Sequence, residues 1–211
     1  METEHSTAAE LLGRYIRGVR RSRALTLVQL AALADLSHPF LSQLERGRAR
    51  PSMTSLEKIA RALGSSQLEL IAGAADLSRQ IAPTAPTLVR ADEGDRGPYS
   101  RGEARLLVHG ERAFHPMAFE ASNVDPGELH IHDEDEFLHV SAGPCTVDLG
   151  PEGIHELETG DSIYYVGGTP HRWFSRTGSR YRLFIVKQHF PLRDLGSVWD
   201  PALMVELEDA K

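Results

Sequence analysis

The chain has 211 residues, 41% of them hydrophobic and 25% charged, which excludes a wholly disordered or fibrous protein and suits one or two packed domains. Its single cysteine, Cys145, excludes an intrachain disulfide or a four-cysteine zinc site, and fits a reducing, cytoplasmic setting. The start METEHSTAAE has no secretory pattern, and the uncharged run Ala24 to Ala34 is too short for a membrane span.

The net charge of −7 is unevenly spread, with 10 Lys/Arg against 3 Asp/Glu in residues 11–63 and 12 against 22 in residues 81–211. A basic module joined to an acidic one suggests two jobs, and the basic part can face phosphates.

Residues 8–75 read as about five helices. Leu11, Leu12, Tyr15, Ile16 and Val19 follow helical spacing. Thr26 is placed to cap a second helix through Leu27, Leu30, Ala31 and Ala34. Ser37, with Pro39 just inside, starts a third that Gly47 stops. A fourth begins after Pro51-Ser52 and ends at Gly64, and a short fifth covers Gln67 to Ala72. Residues 76–98, with the APTAPT run inside them, read as a linker. From residue 99 to 190 the period changes. The short runs ARLLVH, PMAFEA, EFLHV, CTVDL, SIYYV and RLFIV alternate with Gly, Pro and Asp turns, the pattern of an all-β sandwich or barrel. The tail 191–211 carries Leu195, Val198, Trp199, Leu203 and Met204 and is expected to cover one end of that barrel.

A helix, the break Asp35-Leu36-Ser37 and a second helix form a helix-turn-helix plan. The words RYIRGVRRSRALTLVQLAALADLSHPFLSQLERGRARPS closely resemble the Xre-type helix-turn-helix of phage-repressor-like regulators. That resemblance implies that Ser37, His38, Pro39, Ser42 and Gln43 face DNA bases, with Gln43 able to pair bidentately with adenine. It places Arg46, Arg48 and Arg50 at phosphates, and makes Arg20 and Glu45 an ion pair that orients the recognition helix. Leu27 departs from the pattern, standing where several repressors carry a phosphate-binding glutamine.

In the second half, PGELHIHDEDEF puts His130 and His132 two apart on an expected strand, with Glu136 four further on. GDSIYYVGGTPHRWF adds His171. Three imidazoles and a carboxylate suit Fe, Mn, Ni or Zn in the divalent state. Gly127, His130, His132, Glu136 and Gly143 resemble the first cupin motif, and Gly160, Gly168 and His171 the second. Val166 and Ser175 replace its usual proline and asparagine. The resemblance implies a double-stranded β-barrel. Arg105, Tyr165, Trp173 and Arg182 are candidates for a small-molecule pocket at its mouth, and an arginine there would select an anion. His139 has the opposite parity from His132 and belongs on the outer face.

Together the fold class expected is an N-terminal all-α bundle followed by an all-β cupin barrel. The function expected is a dimeric regulator that reads an operator and senses a small molecule with a bound divalent metal. The layout also resembles hydroxypropylphosphonate epoxidase, which leaves a mononuclear non-haem iron oxygenase acting on a small anion as the alternative. A protein whose effector is the metal itself is a third reading.

Overall fold

The computed structural model describes residues 7–79, 85–110 and 112–188. Five helices come first: α1 (Ala8–Ser22), α2 (Leu27–Leu33), α3 (His38–Glu45), α4 (Met53–Ala62) and α5 (Gln67–Arg79). Their starts are fixed by side chains that satisfy otherwise orphaned amides. Thr7 and Glu10 form a capping box on α1, and Thr26 and Gln29 form one on α2. Ser37 caps α3 by accepting from the Phe40 amide, with Pro39 in the first turn. Ser52 caps α4. Ile16, Leu30, Leu41, Leu44, Ile59 and Leu70 are fully buried or nearly so and form the centre of the helical core.

The recognition element α3 is locked to α1 at two levels. Gly13 lies against its backbone, where a Cβ would sit 2.2 Å from the Leu44 carbonyl oxygen. Further along α1, Arg20 donates through Nε and Nη2 to the two carboxylate oxygens of Glu45, at 2.6 and 2.9 Å. Both groups are buried.

Among the described residues nine antiparallel strands follow: β1 (Arg96–Tyr99), β2 (Gly102–Leu106), β3 (Phe114–Ala121), β4 (Glu136–Ala142), β5 (Cys145–Asp148), β6 (Ile154–Leu157), β7 (Ser162–Tyr165), β8 (Arg172–Phe174) and β9 (Tyr181–Gln188). One sheet has the order β1-β2-β3-β9-β4-β7 and the other β6-β5-β8. Alternation along β9 is strict, with Tyr181, Leu183, Ile185 and Lys187 turned inward. Between the sheets Tyr99, Phe119 and Trp173 pack with ring centres 5.4–6.2 Å apart, an aromatic group within a core otherwise made mostly of aliphatic side chains.

The expected linker 76–98 differs from the structure at both ends. Helix α5 does not stop at Ala72 but runs to Arg79, and β1 already begins at Arg96. Gly73 is a close-approach position within the helix: a Cβ there would fall 2.0 Å from Cζ of Tyr15. The helix continues because it serves two cores. Leu70 and Ala74 belong to the helical core, whereas Leu68 and Ala72 belong to the barrel core. The seam is pinned further by Arg79, which donates to Asp95 at 2.7 and 2.9 Å, and by the Gly110 amide donating to Asp76. The tail 191–211, with Trp199 and its apolar neighbours, lies outside the described residues.

Candidate functional site

The third helix presents an exposed polar edge. Ser37, His38, Pro39 and Gln43 are exposed and Ser42 is half-buried, while Leu41, Leu44 and Glu45 turn inward. Arg46, Arg48 and Arg50 are exposed just beyond the helix end. The Arg48 amide donates to the Gln43 carbonyl at 2.8 Å, so this basic turn is folded back on the helix. Side chains able to read base edges and cations able to meet phosphates therefore lie on one continuous surface.

The second site forms where two loops meet. His130 and His132 are not on a strand as expected. They lie in an extended segment that contacts the His171 loop through a single bridge. The His130 amide donates to the His171 carbonyl at 2.8 Å, and the His171 amide donates back at 2.9 Å. The Gly168 amide donates to the His132 carbonyl at 2.8 Å, completing the junction. Alternation nonetheless persists, because His132, Glu134 and Glu136 are buried while Ile131 and Asp133 are exposed.

The junction brings His132, Glu136 and His171 together, with one ligand atom from each lying within 4.8 Å of the others. His132 Nε2 stands 2.9 Å and His171 Nε2 3.9 Å from Glu136 Oε2. His132 Nδ1 contacts the Glu134 carbonyl at 2.9 Å and His171 Nδ1 the Thr169 carbonyl at 3.0 Å. A carbonyl only accepts, so both Nδ1 atoms carry the proton and both Nε2 atoms face the carboxylate. Burial lowers the His171 pKa and keeps that ring neutral, with a lone pair on Nε2. Burial alone would push the Glu136 carboxyl up. The His132 contact and the nearby His171 and Lys187 reverse this and hold it below the usual range. Its second oxygen, Oε1, is buried with no hydrogen-bond partner. At 2.9 Å His132 Nε2 donates to the Glu136 carboxylate, a proton that a cation would displace, and this anionic carboxylate with the His171 lone pair and the carbonyl-anchored imidazoles fits a divalent cation.

The fourth expected ligand stands apart. His130 Nε2 lies 3.3 Å from Ser100 Oγ, and its ring centre is 6.4 Å from that of His171. Burial, with help from His171, pushes its pKa down to about 4. Within this structure the cluster is two histidines and a carboxylate.

The four expected pocket residues divide. Tyr165 and Trp173 are buried beside His171, with ring centres 4.9 and 5.8 Å from it. Burial and the neighbouring Glu136 raise the Tyr165 pKa well above its ordinary value, and the Tyr165 hydroxyl also lies near the Trp173 side chain. Arg105 and Arg182 do not line the interior, because each alternates with inward residues and so projects from the outer face. Arg105 donates to the carbonyls of Arg90 and Glu93, and Arg182 pairs with Glu120. No arginine expected at the barrel mouth is therefore available there to recognise an anion. His139 is on the outer face, 2.9 Å from Ser162 Oγ, and Cys145 is buried, with its thiol pushed up to about 12 by that burial.

Sequence reasoning missed the junction between the two units. Arg23, the residue that ends α1, donates to Asp133 at 2.7 Å and to buried Glu134 at 2.5 Å. Lys187 of β9 is buried and reaches Glu69 of α5 at 3.2 Å. Burial would raise the Glu69 pKa, but Lys187 overrides it and brings that carboxyl down to about 2. Beside these pairs lies a cleft of about 320 Å³ whose walls include Tyr15, Val19, Arg23, Glu134 and Lys187. The parity that buries His132 and Glu136 also predicts an inward Glu134; nothing in the sequence announces its partner.

A helix-turn-helix domain description matches residues 11–72 and a cupin domain description matches residues 121–187. These matches define the architecture: a helix-turn-helix unit joined to a cupin. An uncharacterized HTH-type transcriptional regulator of Sinorhizobium fredii, y4dJ, is 39% identical over 62 residues, which is 29% of this chain and 80% of that protein. The chain belongs to the HTH-type transcriptional regulators. The HTH-type transcriptional regulator PuuR of Escherichia coli is 24% identical over 183 residues, spanning 85% of this chain and 94% of PuuR. The chain spans about half, 47%, of the length of the Bacillus phage phi105 immunity repressor, with 42% identity over 69 residues, or 33% of this chain. A Vibrio cholerae HTH_3 family transcriptional regulator of known structure aligns with a TM-score of 0.52 and 21% identity, covering 88% of this chain and 100% of that one, a likeness of fold. No helix among the described residues is long and apolar enough to cross a membrane.

Proposed function

We propose that the protein binds a specific DNA operator as a homodimer and that its cupin holds a divalent metal through which a small molecule is sensed. The observation that carries the DNA reading is the exposed edge of α3, with Ser42 and Gln43 beside the basic turn Arg46, Arg48 and Arg50. A dimer would set two such helices into successive major grooves about 34 Å apart. A small change in the relation of the two subunits is then enough to spoil binding. Glu136, His132 and His171 would hold the metal, which would supply a Lewis-acid centre and open coordination positions. Tyr165 and Trp173 offer a hydroxyl and an N–H beside it.

Selection from a random DNA library with the purified protein tests the first claim: enrichment of a palindromic site is expected. Gln43→Ala is then expected to weaken binding to that site by about 1–3 kcal/mol and to relax preference at one base pair. Unchanged affinity and preference would remove Gln43 from the reading edge. Replacing Arg48 and Arg50 together by glutamine should weaken binding to all sequences alike. It should also reduce the slope of log affinity against log salt by about 2, one for each phosphate no longer neutralised. A slope equal to wild type places neither arginine at a phosphate.

The two-histidine, one-carboxylate composition of the cluster, with His130 turned to Ser100, also favours a second reading as a mononuclear non-haem iron oxygenase. Absence of any enriched DNA site, together with stoichiometric iron, would move the assignment there.

A further inference from the structure

His132 and Glu136, two of the three residues of the metal cluster, are separated by only three residues, and two of these three hold the helical unit. Asp133 and Glu134 both accept from Arg23, at 2.7 and 2.5 Å. Glu134 is buried, so this is not a solvated surface pair of negligible strength. The backbone of Glu134 is tied to the cluster as well, because its carbonyl accepts from His132 Nδ1. The segment therefore has its side chains on α1 and its backbone on a metal-binding imidazole.

The helical end of this contact leads directly to α3. Arg23 ends α1, and its amide donates to the Val19 carbonyl. Arg20, three residues earlier on the same helix, grips Glu45 of α3 with two hydrogen bonds and also donates to the Leu25 carbonyl. Close packing of Gly13 on Leu44 makes α1 and α3 a single rigid pair. A shift of the Arg23 end of α1 is thus a shift of the recognition helix. Other seam contacts include Arg61 with Glu128, Lys187 with Glu69 and the Gly64 carbonyl, Arg79 with Asp95, and Gly64 packed against the backbone and Cβ of His132 itself. Arg23 is a side chain of the helical unit that pairs with charged groups between the two ligands.

We propose that Arg23, held by Asp133 and Glu134, is the coupling element through which metal occupancy of the cupin sets the position of the recognition helix. The proposal rests on the reading of His132, Glu136 and His171 as a metal centre and adds the route by which that centre is read. Metal binding would replace the 2.9 Å contact between His132 and Glu136 by bonds from both to the ion, and any displacement of the two residues that follows would pass to residues 133–135 between them and so to the two carboxylates on Arg23. Linkage makes the effect reciprocal: metal changes operator affinity by the factor by which operator changes metal affinity.

The test uses the full chain as wild type, Arg23→Gln, Arg23→Lys and Asp133→Asn, the last at an exposed residue outside the cluster. Hydrogen exchange of residues 8–45 is measured with chelator and with added Zn(II), Fe(II) or Mn(II), and metal content is read by mass spectrometry on the same samples. In wild type, metal is expected to change protection of α3 at least fivefold. In Arg23→Gln that response should fall below twofold with metal content unchanged, while Arg23→Lys and Asp133→Asn fall between. Operator affinity of wild type should respond to metal about tenfold and that of Arg23→Gln less than twofold. Failure of wild type to bind any of the three metals overturns the proposal, as does a wild-type response retained in Arg23→Gln. So does metal binding that leaves α3 protection unchanged. The exchange measurement needs no DNA, so loss of the operator reading and loss of the coupling are separate outcomes.

Discussion

Replacing Arg20 by alanine is expected to destabilise the helical unit by about 3–5 kcal/mol, because it strands a buried carboxylate. Glu45 is 8% exposed, and Arg20 supplies both hydrogen bonds to its oxygens. The same variant frees the Leu25 carbonyl from its Arg20 donor. Removing both charges avoids the stranded group, so Arg20→Met combined with Glu45→Leu should recover most of the stability. Operator binding separates the two roles of the pair. The single variant loses binding because the unit is partly unfolded. The double variant folds but holds α3 by apolar contact alone, without the fixed geometry of a fork on a carboxylate. Its specificity should therefore fall more than its stability. Thermal unfolding followed by circular dichroism at 222 nm gives the first comparison, and binding to the selected site gives the second. A loss below about 1 kcal/mol in Arg20→Ala would mean that water reaches Glu45 and that the pair has no orienting power.

The positions most legible in the sequence are those whose role is local. Caps at Thr26, Ser37 and Ser52, the early Pro39 and the apolar spacing of α1 are decided within a few residues, and they stand where the pattern puts them. The two motif words around His132 and His171 also carry their meaning locally, since each glycine-marked turn fixes one loop. What the sequence did not disclose depends on partners far away along the chain. Helix α5 continues past Ala72 because one face meets the barrel and the other the helices, a demand visible only after both cores exist. Arg105 and Arg182 look like pocket cations until strand parity is fixed, and parity follows from register with β3 and β9. His130 has the right parity and spacing for a ligand, yet its ring turns to Ser100, a residue 30 positions away. The Arg23 contact spans more than a hundred residues, and Arg23 itself reads as one more cation of a basic surface.

Glu136→Ala should remove bound metal and, in doing so, abolish the stabilisation that metal gives the folded protein. Two features of the cluster oppose each other without a cation. Glu136 is fully buried, which costs solvation, yet its contact with His132 and the nearby positive charge outweigh that cost and hold it ionised. The same carboxylate supplies the only formal negative charge among the three clustered groups, and without it two imidazoles remain to hold the ion. Metal content by mass spectrometry should fall at least tenfold in Glu136→Ala and in His132→Ala. The stability signature is more telling than content. A ligand at one hundred times its dissociation constant stabilises the folded state by about 2.7 kcal/mol. Chelation should therefore lower the unfolding temperature of wild type and leave that of Glu136→Ala unmoved. Full metal retention in both variants would transfer the centre elsewhere in the chain. A wild-type unfolding temperature indifferent to chelation would make Glu136 a structural group, held by His132 and His171 for packing alone.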